Sequence, residues 1–154
     1  MAIPLISQLS GLFRGSPLVL RNTVVYQTDD QMKRRGVDAT VLKDYVKQVQ
    51  PIVMAAVRHR STEEFACIIA WDPTRMLIYA EAKEAEVKAD LLSAEAKIRA
   101  VTAPKVSGPV MFALVMAYGD APKRYRPQPT PPEWQQMAKR QKRPLPVPDM
   151  LFVI

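Results

Sequence analysis

The sequence predicts an α+β fold: a mixed sheet of about four strands packed by two helices, with extended arms at both ends. Three observations predict it. Two stretches repeat apolar residues every three or four positions, the period of a helix with one buried face. Four short runs are rich in β-branched and aromatic residues and read as strands. Beyond residue 120 the composition changes: eight of the fourteen prolines fall between residues 121 and 149. The expected organisation is an N-terminal arm (1–17), a core domain (18–120) and a basic, proline-rich C-terminal arm (121–154). A chain of 154 residues suits one core with extensions.

Residues 1–17 are apolar, with Pro4, Gly11, Gly15 and Pro17, and read as an irregular arm or one short amphipathic turn. Leu18 to Gln27 (LVLRNTVVYQ) reads as a strand. Thr28 to Gly36 is charged, closes on glycine and reads as a loop. A helix is expected from Asp38, a good N-cap. Val41, Leu42, Tyr45, Val46, Val49, Ile52, Val53, Ala56 and Val57 form its stripe. Pro51 predicts a kink or break there, because proline lacks the backbone donor and crowds the preceding turn. Arg58, His59 and Arg60 follow, where positive charge suits the negative end of a helix.

Phe65 to Trp71 (FACIIAW) and Met76 to Ala82 (MLIYAEA) flank Asp72-Pro73-Thr74-Arg75, a type I turn sequence, and predict a hairpin. Lys83 to Val101 is rich in strong helix formers, with Val87, Leu91, Ala94, Ile98 and Val101 on one face. Glu84–Lys88 and Glu95–Arg99 are spaced for i,i+4 ion pairs. Thr102 to Pro109 turns the chain. Val110 to Tyr118 (VMFALVMAY) is apolar on both faces and predicts a buried, central strand ending at Gly119.

From Asp38 to Tyr118 the order is helix, hairpin, helix, strand. Tyr45 precedes the apolar stripe, Asp72-Pro73 sits in the hairpin turn, and Ile98–Val115 (IRAVTAPKVSGPVMFALV) has a helix end, a proline turn and a closing strand. This segment resembles the C-terminal domain of the TonB and TolA family of envelope linker proteins. The resemblance covers about half of the chain and implies protein–protein contact by strand addition, not catalysis. Family members normally place a membrane anchor and a long spacer before this domain, and neither is found here. Their domain usually ends the chain, whereas this sequence continues for over thirty residues.

No catalytic residues, cofactor or metal are expected. One histidine and one cysteine cannot make a Cys/His zinc site, and five glycines make no phosphate-cradling loop. Cys67, mid-strand, reads as inert packing. His59, flanked by arginines, reads as a helix-end residue. Asp29/Asp30, Glu63/Glu64 and Glu84/Glu86 read as solvated surface. No membrane span and no basic-headed signal peptide are evident, so a cytoplasmic protein, or one within a macromolecular assembly, is expected.

The C-terminal arm is the candidate partner-binding element. Seven lysines and arginines lie in residues 121–149 against Glu133 and Asp149, within a chain of net charge +7. Tyr125 and Trp134 stand among these cations, and Lys139, Arg140, Lys142 and Arg143 cluster together. Glu133 to Arg143 has the composition of a short basic helix after a proline pair. The terminus is greasy and includes Leu151, Phe152 and Ile154. These features predict a non-enzymatic structural or interaction subunit of a larger assembly (a virion, secretion or envelope complex), with protein partners or copies of itself. The alternative is a nucleic-acid-binding accessory protein that stacks bases on the arm's aromatics and meets phosphates with its cations.

Overall fold

The computed structural model describes residues 17–119 together with Ala121 and Pro122. The elements run β1 (Leu18–Val25), α1 (Asp29–Arg34), α2 (Ala39–Ala56), β2 (Phe65–Trp71), β3 (Met76–Glu81), α3 (Ala85–Leu92), α4 (Glu95–Ala100) and β4 (Val110–Tyr118). The four strands form one sheet in the order β1-β4-β2-β3, so the fold is α+β as expected.

The sheet is not mixed, because every pairing is antiparallel. Helical crossovers usually join parallel neighbours. Here each crossover joins strands that point the same way but are not neighbours. The β1-to-β2 crossing leaves a slot that β4 fills, and the β3-to-β4 crossing passes over β2.

The stretch expected to be a loop contains a helix. Thr28 accepts the backbone N–H of Gln31, and the Gln31 side chain accepts the backbone N–H of Thr28. This reciprocal capping box satisfies two donors that would otherwise be orphaned. At the other end, Gly36 N–H bonds to the Lys33 carbonyl and Val37 N–H to the Met32 carbonyl. That Schellman closure puts Gly36 at φ +85°, a conformation that disfavours any side chain. Arg35 then reaches the Pro109 carbonyl, tying α1 to the turn that feeds β4.

α2 starts at Asp38, whose carboxylate accepts the N–H of Val41, and buries Leu42, Tyr45, Val46, Val49 and Val53. The expected break at Pro51 does not occur: the helix runs through it. Pro51 and Lys47, whose carbonyl loses its donor, both lie on the exposed side, where water can replace the missing bond. The second predicted helix divides into α3 and α4. The Ser93 hydroxyl donates back to the Asp90 carbonyl, and Ala94 N–H bonds to the Leu91 carbonyl, three residues back instead of four. The apolar stripe survives the division, and Val87, Leu91, Ala94 and Ile98 are all buried.

Helices and sheet share one core. The α2 and α3–α4 stripes pack on Phe65, Cys67, Ile69 and Trp71 of β2 and on Val110, Phe112, Leu114 and Met116 of β4. Tyr45, Trp71 and Phe112 meet edge to face, with centroids 5.2 to 6.1 Å apart. The Trp71 indole donates to the Pro104 carbonyl at 2.9 Å. β4 is central and buried over Val110–Ala117, as its two apolar faces predicted. β1 stops at Val25, but the Gln27 side chain continues its ladder, donating to the Met111 carbonyl and accepting the Met111 N–H.

The hairpin closes as predicted, with Trp71 paired to Met76 across four loop residues. One Asp72 carboxylate oxygen accepts from the Thr74 N–H, the Thr74 hydroxyl and the Arg75 N–H. Burial alone would raise the Asp72 carboxyl, but these bonds and the Arg75 charge hold it below the usual range. Asp72 thus sets the turn, and Pro73 only presets one dihedral angle. Pro73→Ala is expected to cost about 0.5–1 kcal/mol, measured by urea unfolding.

Candidate functional site

Each sequence-predicted partner-binding residue (Tyr125, Trp134, Lys139, Arg140, Lys142, Arg143, Leu151, Phe152 and Ile154) lies outside the described residues. What the structure does describe is the point where the C-terminal arm leaves the sheet, and the surfaces around it.

β4 ends at Tyr118, beside the start of β1. β1 is bulged between Leu20 and Asn22, and the bulge frees Arg21 from the ladder. Its guanidinium donates from one nitrogen to the carbonyls of Tyr118, Gly119 and Ala121, at 3.3, 3.3 and 2.6 Å. A second nitrogen lies 3.5 Å from a Glu64 carboxylate oxygen, and the two side chains are only 15% and 6% exposed. Glu64, expected on a solvated surface, is therefore part of a half-buried ion pair. Its role follows from position: one residue before β2, it meets the bulge two strands away.

A second cluster borders the same end. One Asp90 carboxylate oxygen accepts the backbone N–H of Arg58 at 2.8 Å, that of His59 at 2.8 Å, and lies 2.9 Å from the His59 ring nitrogen Nδ1. Burial opposes ionisation of Asp90, but these bonds outweigh it and hold the carboxyl below its ordinary range. His59 is thus placed by Asp90, not by a helix end, because α2 stops at Ala56. Arg60 stacks over the Tyr118 ring, 4.1 Å from its centroid, and the Tyr118 hydroxyl donates to the His59 carbonyl. Of the two expected helix-surface pairs, Glu95–Arg99 closes at 2.7 Å. Glu84 instead accepts from the N–H and hydroxyl of Thr62.

These groups position backbone. Cys67 is fully buried, and burial pushes its thiol up to about 12, so the reactive thiolate is absent at neutral pH. Among the described residues no three His, Cys, Asp or Glu side chains gather as metal ligands. No described helix is long and apolar enough to cross a membrane.

A cleft of about 520 Å³ lies between the hairpin turn and Ala103–Val106, with Arg75 and Lys105 at its rim. The sheet face opposite the helices is apolar: Val24, Ala66, Ile68, Ala70, Met111, Ala113 and Val115 form a cluster of their own, flanked by Tyr26, Leu77 and Tyr79. Glu81, in register with Ala66, stands at one corner, and burial pushes its carboxyl above the usual range against the pull of Lys88.

Compared with protein-family models, curated proteins and solved structures, the chain matches none. The functional reading therefore rests on the arm's chemistry and on the geometry of its root.

Proposed function

We propose that the protein is a non-enzymatic interaction subunit of a larger assembly, docking through its C-terminal arm. The observation that carries this reading is the Arg21 clamp. A half-buried guanidinium, backed by Glu64, fixes the backbone at the arm's root. A pendant tail without a task needs no such anchor, whereas a docking arm loses less entropy on binding when its root is held. The prolines of the arm restrict it further. The apolar terminus, with Leu151, Phe152 and Ile154, supplies the desolvated centre of the contact. Lys139, Arg140, Lys142 and Arg143 orient it on an acidic surface.

The resemblance to TonB and TolA adds a second contact to this reading. Strand addition needs a free edge, and β1 and β3 are the edges of this sheet. The bulge at Arg21 blunts β1. β3 is therefore the edge assigned to a partner strand.

Deletion of residues 145–154 tests the proposal. It is expected to abolish capture of the native partner while moving the thermal midpoint of the isolated protein by no more than a degree or two. Undiminished capture refutes the docking role. Affinity that instead falls by orders of magnitude between low and moderate salt, on single-stranded nucleic acid, favours the nucleic-acid reading.

A further inference from the structure

Resting on the interaction-subunit reading, we infer that the cleft between the hairpin turn and Ala103–Val106 takes an acidic segment of the partner protein, seating an aliphatic side chain between flanking carboxylates. The cleft holds about 520 Å³, within the range of sites that accept small ligands and side chains. Both of its walls are fixed. On one side the Asp72 carboxylate gathers the Thr74 N–H, the Thr74 hydroxyl and the Arg75 N–H, so the turn keeps one shape. On the other, the Trp71 indole holds the Pro104 carbonyl, and Ser107 donates to the carbonyls of Arg34 and Arg35. A cleft held open by its own bonds costs a ligand little reorganisation. Pro73, Met76, Pro104 and Val106 give it an apolar lining.

Charge selects the occupant. Arg75 and Lys105 are exposed, one on each wall. Lys105 makes no ion pair among the described residues. The Ser107 bonds also bring the cationic end of α1, with exposed Lys33 and Arg34, alongside the Lys105 wall. Asp72 is the acid of the lining, and one of its oxygens is spent on its own turn. An anion entering the cleft therefore meets cations on both sides. Phosphates and carboxylates both answer such charge, and the lining favours carboxylates on a peptide. Single-stranded nucleic acid also needs exposed aromatic faces on which to stack its bases. Trp71 is the aromatic residue of the lining, and it is 3% exposed with its N–H committed. Prolines, methionine and valine suit an aliphatic side chain instead. Met76 opens β3, the edge assigned to a partner strand, so a segment paired along β3 ends beside the cleft. The same acidic chemistry suits the seven cations of the C-terminal arm.

The probe is a fluorescein-labelled pentapeptide, a leucine with two glutamates on either side, titrated into the full chain at low salt and read by anisotropy. Saturable binding is expected, and it should be lost when glutamines replace the glutamates. Arg75→Gln and Lys105→Gln should each weaken it several-fold, and the double variant about tenfold. Both side chains are exposed, so these variants keep the fold. Lys43→Gln, outside the cleft, should leave the affinity unchanged. Amide resonances of residues 72–76 and 103–106 should shift on titration. No saturable binding, equal binding of the glutamine peptide, or shifts centred elsewhere overturns the inference. A single-stranded oligonucleotide that displaces the peptide and binds more tightly through Arg75 and Lys105 overturns the peptide as occupant. The two roles fail separately. Full partner capture by the double variant overturns the cleft and leaves the arm's role standing. In the chain lacking residues 145–154, undiminished capture refutes the arm's role, and retained peptide binding still supports the cleft.

Discussion

Ile69→Asp is expected to remove most of the stability of the domain, on the order of 4–5 kcal/mol. Ile69 lies in the middle of β2, is 0% exposed, and pairs with Ile78 on one side and Phe112 on the other. Its side chain enters the core shared by sheet and helices, beside the Tyr45, Trp71 and Phe112 rings. A carboxylate there has no polar partner to replace water, so it either stays charged at great cost or takes up a proton. Both routes also leave a void where the isoleucine packed. A domain of about a hundred residues has roughly 5–15 kcal/mol in total, so the variant should be partly unfolded at ambient temperature. Urea unfolding followed by the Trp71 signal reads this directly. An unchanged midpoint would mean that β2 is not a core strand.

Arg21→Met tests the root of the arm and is expected to cost roughly 2–4 kcal/mol. The loss has two sources. Glu64 is stripped of its guanidinium partner while 6% exposed, and the carbonyls of Tyr118, Gly119 and Ala121 lose a charged donor. A double-mutant cycle separates them. Adding Glu64→Gln to Arg21→Met should recover much of the first and none of the second. Partner affinity should also fall in Arg21→Met, because the arm then meets its partner from an unfixed root. A stability change under 0.5 kcal/mol, with affinity intact, would show that Arg21 merely rests against those carbonyls.

Much of this was legible from local pattern. The stripe from Leu42 to Val53, the stripe from Val87 to Ile98 and the hairpin around Asp72 depend on residues within about one turn of each other, and all three stand. α1 was equally local but was obscured by charge: Thr28-Asp29-Asp30-Gln31 is a capping box, and the expectation of a loop weighed the acids instead. At Pro51 the local rule was correct about the lost bond and wrong about its consequence, because solvent lies on that side. The polar contacts at the arm's root carried no such signal. Asp90 looks like any helix acid, and its partners Arg58 and His59 are over thirty residues away. Glu64 looks like half of an exposed acidic pair until the bulge brings Arg21 across the sheet.

By itself, the sequence determined the four strand segments, the two long helical stripes, the hairpin and its turn, and the segregation of proline and positive charge into one arm. All of these follow from backbone propensity and side-chain period, which act over a few residues. Only the tertiary structure decided the strand order, the antiparallel sense of every pairing, and the two faces of the sheet. Those depend on which non-neighbouring strand fills the slot that a helical crossover leaves open. β4, the last strand in sequence, fills the slot between β1 and β2, and that insertion places the root of the C-terminal arm against Arg21.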